Sequence, residues 1–476
     1  MLTIADAIEA LTNFRPQTTA VITEAVIDSR QVIPGSMFVA IPGEKTDGHD
    51  FIGEAFKRGA SFALTQREKD ADASFRTLDL RSVSSADSFL EHDLTTPLCL
   101  RVENTVTALQ QIARFWRRKL DLRVIGITGS VGKSTTKEMA AEVLSTRYRT
   151  LKSPGNLNNE IGLPLTMLRL SSGHQCAVME MGFYVPGEIA FLCDIALPQV
   201  GVVTNVGTVH AERAGSQEAI ARGKAELVQA LPPAPEGVAI LNFDDPWVRK
   251  MEEKTKARVF FYGLSPEAHL WADNVVGLGL EGIRFRLHYA GETLHVKIPL
   301  IGRHSVHTAL RAAAIGLTEG MNWQEILEGL NQGHTQLRLA AVRSETGALL
   351  LDDTYNASPE SMLAALNLLD ELDGRKVAVL GDMLELGPYE RGGHEMVGLR
   401  AAQVAGVLLT LGERAHTFAE AARRAGMKKS SIIEFDEFEP LLEWLKANLT
   451  KDDAVLIKGS HGLHMDRITS MLEVRS

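Results

Sequence analysis

At 476 residues, 45% hydrophobic and 23% charged, the chain is a globular protein too long for one core, and its length predicts about three domains. The net charge of −10, with acids and bases interleaved, argues against nucleic-acid binding, which needs a basic face. The three cysteines, Cys99, Cys176 and Cys193, form no CxxC pair, and their odd number argues against a disulfide framework. The opening "MLTIADAIEALTNF" is amphipathic but lacks the basic start and apolar centre of a signal peptide. No apolar run approaches the roughly 20 residues of a membrane span. These features together predict a cytosolic protein.

The first hundred residues read as short strands between Gly/Pro turns, with a strand at 37–41 and a helix at 51–58 ended by Gly59. From about Val124 the pattern changes. Apolar runs of strand length, "RVIGIT", "CAVMEM", "VGVVTNV" and "GVAILNF", alternate with helical stretches, which predicts a parallel sheet covered by helices. Between 270 and 301 the period becomes two, as in a hairpin turning at Ala290-Gly291 and appended to that sheet. "HTALRAAAIGLTEG" and "WQEILEGL" read as helices. A second alternation, "GALLLDD", "KVAVLGD", "AGVLLTLG" and "DAVLIKG", predicts a third, Rossmann-like α/β domain.

The stretch "VIGITGSVGKSTTKEMA", residues 124–140, places Thr128, Gly129, Ser130, Val131, Gly132, Lys133, Ser134 and Thr135 where a strand meets a helix. Such a turn aims backbone N–H groups and a helix dipole at an anion, and its glycines admit close backbone approach. Lys133 would reach the outer phosphates and the Ser134 hydroxyl a Mg²⁺ ion. The spacing from Gly126 to Gly132 is one residue longer than the usual phosphate-loop pattern, with Ile127 where a strict match needs glycine. An ordinary glycine-rich βα turn is the plain alternative.

"SPGNLNNEIGLPLTML" clusters Asn156, Asn158 and Asn159 ahead of a helix, in turn and cap roles or facing a nucleotide or metal-bound water. Glu180 ends one strand and His210 follows another, so both stand at the strand ends where open α/β sheets bind ligands. A capping acid and a surface histidine are the plain alternatives. Lys224 lies on an amphipathic helix, where most lysines are solvated. With Ser134, Glu180 and His210 it outlines a Mg²⁺-ATP site.

In chain order, the loop at 126–136, "GNLNNEIGLP", "MEMG", "NVGTVHAE", "RGKAEL", "NFDDP", "DDTYNASP" and "VLIKGS" resemble the Mur ligases of bacterial cell-wall precursor synthesis, and the resemblance covers nearly the whole chain. It implies three α/β domains. An N-terminal uridine-nucleotide-binding module would span 1–105, a central P-loop ATPase domain with its appended hairpin 106–335, and a Rossmann-like domain 336–476. "DDTYNASP" is closest to the signature of the members that join D-alanyl-D-alanine to a UDP-N-acetylmuramoyl-tripeptide through an acyl phosphate, in the cytoplasm and as monomers.

By the same resemblance, Lys224 would be carbamylated by CO₂ and carry an oxygen ligand for a second Mg²⁺, with Glu180 and His210 completing the metal environment. Arg338, Asp353, Asn159 and Thr308 would contact ATP. Tyr355, Asn356 and Ser358 would bind the dipeptide. Ser29, Arg30, Asp47, Gly48, His49 and Asn158 would bind the UDP precursor. Several positions depart from the family pattern. Ser305 and Thr308 replace two asparagines, the second of which contacts adenine. Val131, Ser134 and Ser358 replace an asparagine or serine, a threonine and an asparagine. The rival readings are a related ligase with another amino-acid substrate and a P-loop nucleotide switch that makes no bond.

Overall fold

A computed structural model describes residues 1–43, 46–67, 75–83, 94, 97–332 and 340–473. Three sheets organise them, each built from the buried apolar runs that the sequence spaces between glycines and helices.

The first sheet is parallel throughout, with spatial order Ala25–Val26, Met37–Val39, Phe62–Thr65, Leu98–Arg101, Arg76–Asp79. The helix predicted at 51–58 runs from Ile52 to Lys57, and Gly59 ends it at φ +101°, a value that favours glycine. Helix Ile4–Thr12 starts in a capping box between Thr3 and Asp6. Asp6 also accepts from Arg15 and from Lys119, just past helix Thr105–Arg118. That second helix binds the first two sheets together. Its Thr105 hydroxyl donates to the Ala40 carbonyl, while Trp116 and Arg117 donate to the carbonyls of Leu170 and Ala196. One continuous apolar core therefore runs from the N-terminal sheet to one face of the central sheet.

The central sheet has nine strands. Strand Arg123–Thr128 lies between Cys176–Glu180 and Val200–Val203, all parallel, so the chain leaves this edge of the sheet at three neighbouring points. Val238–Asn242, Arg258–Gly263 and Leu270–Gly277 continue it in parallel. The predicted hairpin, Ile283–Tyr289 with Glu292–Ile298, is hydrogen-bonded to Leu270–Gly277 and so extends the sheet itself. Its two turn residues, Ala290 and Gly291, both have positive φ, as a tight two-residue hairpin turn needs. Helices Lys133–Ser145, Val306–Thr318 and Trp323–Asn331 close the other face.

The third sheet orders Ala340–Arg343, Leu349–Asp352, Asp453–Lys458, Arg375–Gly381, Val407–Leu411, Ile432–Phe435, parallel except for the first strand. Strand Asp453–Lys458, late in sequence, inserts at its centre and has apolar cores on both sides. Among the described residues no helix is long and apolar enough to cross a membrane.

Candidate active site

The loop between strand Arg123–Thr128 and helix Lys133–Ser145 is held from beneath by the ends of neighbouring strands. The Asn205 carboxamide grips the Val131 peptide from both sides, accepting from its N–H at 2.9 Å and donating to its carbonyl at 3.1 Å. Thr204 donates to the same carbonyl, and the Ser130 hydroxyl accepts from the Gly207 N–H. Gly129 and Gly132 take positive φ, and a Cβ on Gly129 would collide with the Thr204 hydroxyl. Val131 thus serves through its backbone, which accounts for its apolar side chain. Lys133 Nζ lies over the loop, donating to the carbonyls of Gly129 (2.8 Å) and Ser130 (3.3 Å).

Beside the loop stands Glu180, paired in register with Ile127 and buried. It accepts from the Ser134 hydroxyl at 2.7 Å and from the Asn158 amide at 2.9 Å. Lys137, fully buried, lies 3.7 Å from the same carboxylate and donates to the Gly155 carbonyl at 2.8 Å. A buried carboxylate needs such partners, because desolvation otherwise disfavours its charge. Among the described residues no three His, Cys, Asp or Glu side chains converge as a metal cluster. A cation at Ser134 and Glu180 would therefore find two hard oxygen donors and take its remaining ligands from phosphate or water, which suits Mg²⁺.

Lys224, 1% exposed, projects from helix Gln217–Gln229 with its Nζ 4.8 Å from the Phe183 ring centre. Gly223 leaves room for that ring. Burial, and then repulsion from Lys133, hold the Lys224 amine well below the ordinary lysine range. An uncharged amine is what addition to CO₂ requires. His210 has left-handed backbone and packs edge-on to Tyr184. Its Nδ1 lies 2.8 Å from the Glu385 carboxylate of the C-terminal domain. Burial and Lys133 push the His210 pKa down against the pull of Glu385.

The loop, Glu180 and His210 line a cleft of about 520 Å³ between the central and C-terminal sheets, well within the range of small-molecule sites. The far wall carries Asp353, Tyr355, Asn356 and Ser358. Lys458, at the carboxyl end of its strand, organises that segment: Nζ pairs with the Asp353 carboxylate at 2.7 Å and donates to the Asn356 carbonyl at 2.8 Å. The Ser358 hydroxyl caps helix Pro359–Glu371. Thr308, bonded to Arg311, also lines the cleft.

The cleft brings together residues 130–135, Asn158, Glu180, His210, Thr308, Asp353, Tyr355, Asn356 and Ser358 from the sequence-predicted set. Thr128, Gly129 and Lys224 are buried outside its lining, and Asn159 is exposed outside it. Thr128 donates to the Met181 carbonyl, and Asn159 accepts from the Gly162 N–H at the start of helix Gly162–Leu168. The N-terminal group is elsewhere. Arg30 is exposed and doubly bonded to Asp28, and Ser29 is buried beside it. Asp47 meets His49 Nδ1 at 2.6 Å, while His49 Nε2 accepts from the Gln66 N–H, so the buried ring carries its proton on Nδ1 and shapes this loop from within. Gly48 packs directly on the Ile41 backbone. Arg338 lies outside the described residues.

Sequence reasoning passed over Lys137, Asn205, Arg311, Glu385 and Lys458. Lys137 follows Lys133 by four residues and so shares its helix face. Lys458 ends a central strand, the same signal that singled out Glu180. Nothing local marks Glu385.

Three family models match the chain: the Mur ligase family catalytic domain over 21–117, the Mur ligase middle domain over 127–316, and the Mur ligase glutamate ligase domain over 337–461. The UDP-N-acetylmuramoyl-tripeptide–D-alanyl-D-alanine ligase of Bacillus subtilis is 34% identical, aligning 95% of this chain with 93% of its own. The Synechocystis enzyme of that name is 36% identical over 94% and 90%. The crystal structure of MurF from Acinetobacter baumannii superposes with a TM-score of 0.83 at 29% identity, covering 99% of this chain and 98% of that one. MurF from Thermotoga maritima in complex with ADP gives 0.77 at 28%, covering 97% of each. The chain belongs to the Mur ligase family.

Proposed function

We propose that the chain is an ATP-dependent amide ligase joining D-alanyl-D-alanine to UDP-N-acetylmuramoyl-tripeptide. The observation that carries this reading is the cleft itself. It sets a phosphate loop with a paired serine and carboxylate on one wall against the 353–358 segment, ordered by Lys458, on the other. Relatives carrying that ligase name align over nearly their whole length.

ATP would lie with its phosphates on the N–H groups of residues 130–135. Lys133, now bonded to its own loop carbonyls, would turn to the transferring phosphoryl, where its charge offsets that of the oxygens. Mg²⁺ bound at Ser134 and Glu180 would draw charge from the phosphates, and a second ion would rest on Lys224 as carbamate, with His210 close by. The tripeptide carboxylate takes the γ-phosphoryl to become an acyl phosphate and ADP leaves. The dipeptide amine then attacks the acyl carbon, loses a proton, and expels phosphate. Tyr355, Asn356 and Ser358 would hold the dipeptide beside that carbon. No protein nucleophile is needed, because the phosphate is the leaving group. Ser29, Arg30 and the 47–49 turn would hold the uridine nucleotide, with Asn158 near the peptide end. The reaction would take place in the bacterial cytoplasm, carried out by a monomer, and would complete the peptidoglycan pentapeptide precursor.

Phosphate release from ATP tests the reading. It is expected only when both the UDP-tripeptide and D-alanyl-D-alanine are present. Release that ignores either substrate rejects the assignment.

A further inference from the structure

Arg311 is a buried cation that has no counter-ion among the described residues. Its side chain rises from helix Val306–Thr318 to the lining of the cleft, and the residue is 4% exposed. Nε donates to the Thr136 hydroxyl at 2.7 Å, Nη2 to the Thr308 hydroxyl at 2.9 Å, and Nη1 makes a long contact of 3.4 Å with the Tyr262 hydroxyl. All three partners are neutral. Among the described residues no carboxylate lies within 4 Å of the guanidinium. Asp244, on the same side of the cleft, is already committed to His307 and to the Leu264 N–H.

A charge removed from water and given only neutral partners is costly to hold. Proteins keep such a charge where an anion will arrive. The position of this one is specific: Nη2 stands 3.0 Å from where a Cβ on Gly132 would lie, directly against the loop that precedes helix Lys133–Ser145. Thr136 relays the contact, since its hydroxyl accepts from Arg311 while donating to the Gly132 carbonyl.

We propose that Arg311 is a nucleotide-binding residue whose counter-charge is the polyphosphate of the bound nucleotide, so that this chain holds phosphate between Lys133 on one side of the loop and Arg311 on the other. The inference rests on the reading of residues 130–135 as the phosphate loop. A guanidinium suits the task because it stays charged when buried and offers several fixed donors. Thr308 contributes by orienting that fork, which gives a role to a short hydroxyl at this position.

The test is calorimetric titration of the full-length protein with ADP, pyrophosphate and adenosine as separate probes. In Arg311→Met, ADP and pyrophosphate are expected to bind at least tenfold more weakly, with adenosine unchanged. The melting temperature without nucleotide should not fall, because a lone buried charge is gone. Arg311→Gln, which keeps a donor for Thr136 and Thr308 without the charge, should show the same phosphate-specific loss and covers the case in which the Met variant misfolds. Unchanged ADP and pyrophosphate affinity in the folded variant overturns the proposal. So does an equal loss with adenosine, which would make Arg311 a nucleoside contact. Lys133→Ala serves as the separate control. If it binds pyrophosphate like the parent, the phosphate-loop reading itself fails, whatever Arg311 does.

Discussion

His210 and Glu385, 175 positions apart, meet at 2.8 Å across the rim of the cleft. The contact is reinforced by the Glu212 N–H, which donates to the Glu385 carbonyl, and by Gly387, which packs against the Glu212 backbone. The C-terminal domain thus touches the central one through a residue that lines the cleft. Glu385→Ala should loosen this docking. Glu385 is partly exposed, so the loss is expected near 1 kcal/mol or less. Hydrogen exchange in helix Ala211–Ala214 should quicken severalfold, and unchanged protection there would show that the pair does not hold the domains.

Lys133 and Lys224 should fail differently. Lys133→Ala is expected to lower turnover by about a thousandfold, as loss of a transition-state charge contact does. Lys224→Ala should also be inactive but partly regain turnover with acetate, which can replace a carbamate oxygen. Steady-state rates across an acetate series distinguish them. A Lys224→Ala enzyme with parental activity, needing no acetate, would return that lysine to a packing role.

Lys137→Met should damage both stability and rate. It removes the cation beside the buried Glu180 carboxylate, at a cost of about 1–3 kcal/mol. Turnover should drop at least tenfold because Glu180 is no longer held toward Ser134. Thermal melts and initial rates on the same preparation check both halves, and a destabilised enzyme with normal turnover would confine Lys137 to folding.

Acid sensitivity of the C-terminal sheet should trace in part to Asp453. Burial pulls its carboxyl up, but Arg375 and the Thr450 N–H outweigh that and hold it below the ordinary carboxylate range. The native pKa is depressed, so the stabilisation is complete above the unfolded value of about 3.9 and is lost as pH falls through the lower native one. Asp453→Asn is expected to cost about 1–2 kcal/mol at neutral pH, Arg375 being partly exposed. The gap between parent and variant should shrink below about pH 4. Denaturant melts at several pH values measure it, and a constant gap would remove Asp453 as the cause.

The cysteines should be silent in the native protein. All three are buried, and burial, with Glu319 adding to it, pushes the Cys176 thiol up to about 12. Burial drives Cys193 higher still. Thiolate is the reactive form, so an alkylating reagent at pH 8 should modify them only after unfolding. Rapid labelling of the folded chain would contradict the packing around these residues.

Much of this arrangement is written locally. Strands such as Cys176–Glu180 and Asp453–Lys458 read as unbroken apolar runs because both faces of a parallel sheet are covered. Glu180 was legible because a carboxylate that ends such a run has one place to go. Strand Ile432–Phe435 was not read, since it is a half-buried edge strand with a weak apolar pattern. Lys137 and Lys224 look like any helical lysine, and their burial comes from sheets and loops distant in sequence. Glu385 gains its meaning only from the docking of two domains, and no local window contains that.

The two-point grip of Asn205 on the Val131 peptide bears on how fast a ligand arrives. A phosphate-binding loop whose backbone is already fixed by side-chain bonds loses little freedom when occupied. Association should then be limited by diffusion into the cleft, with no slow ordering of the loop. The loop is a receptor built before its ligand arrives.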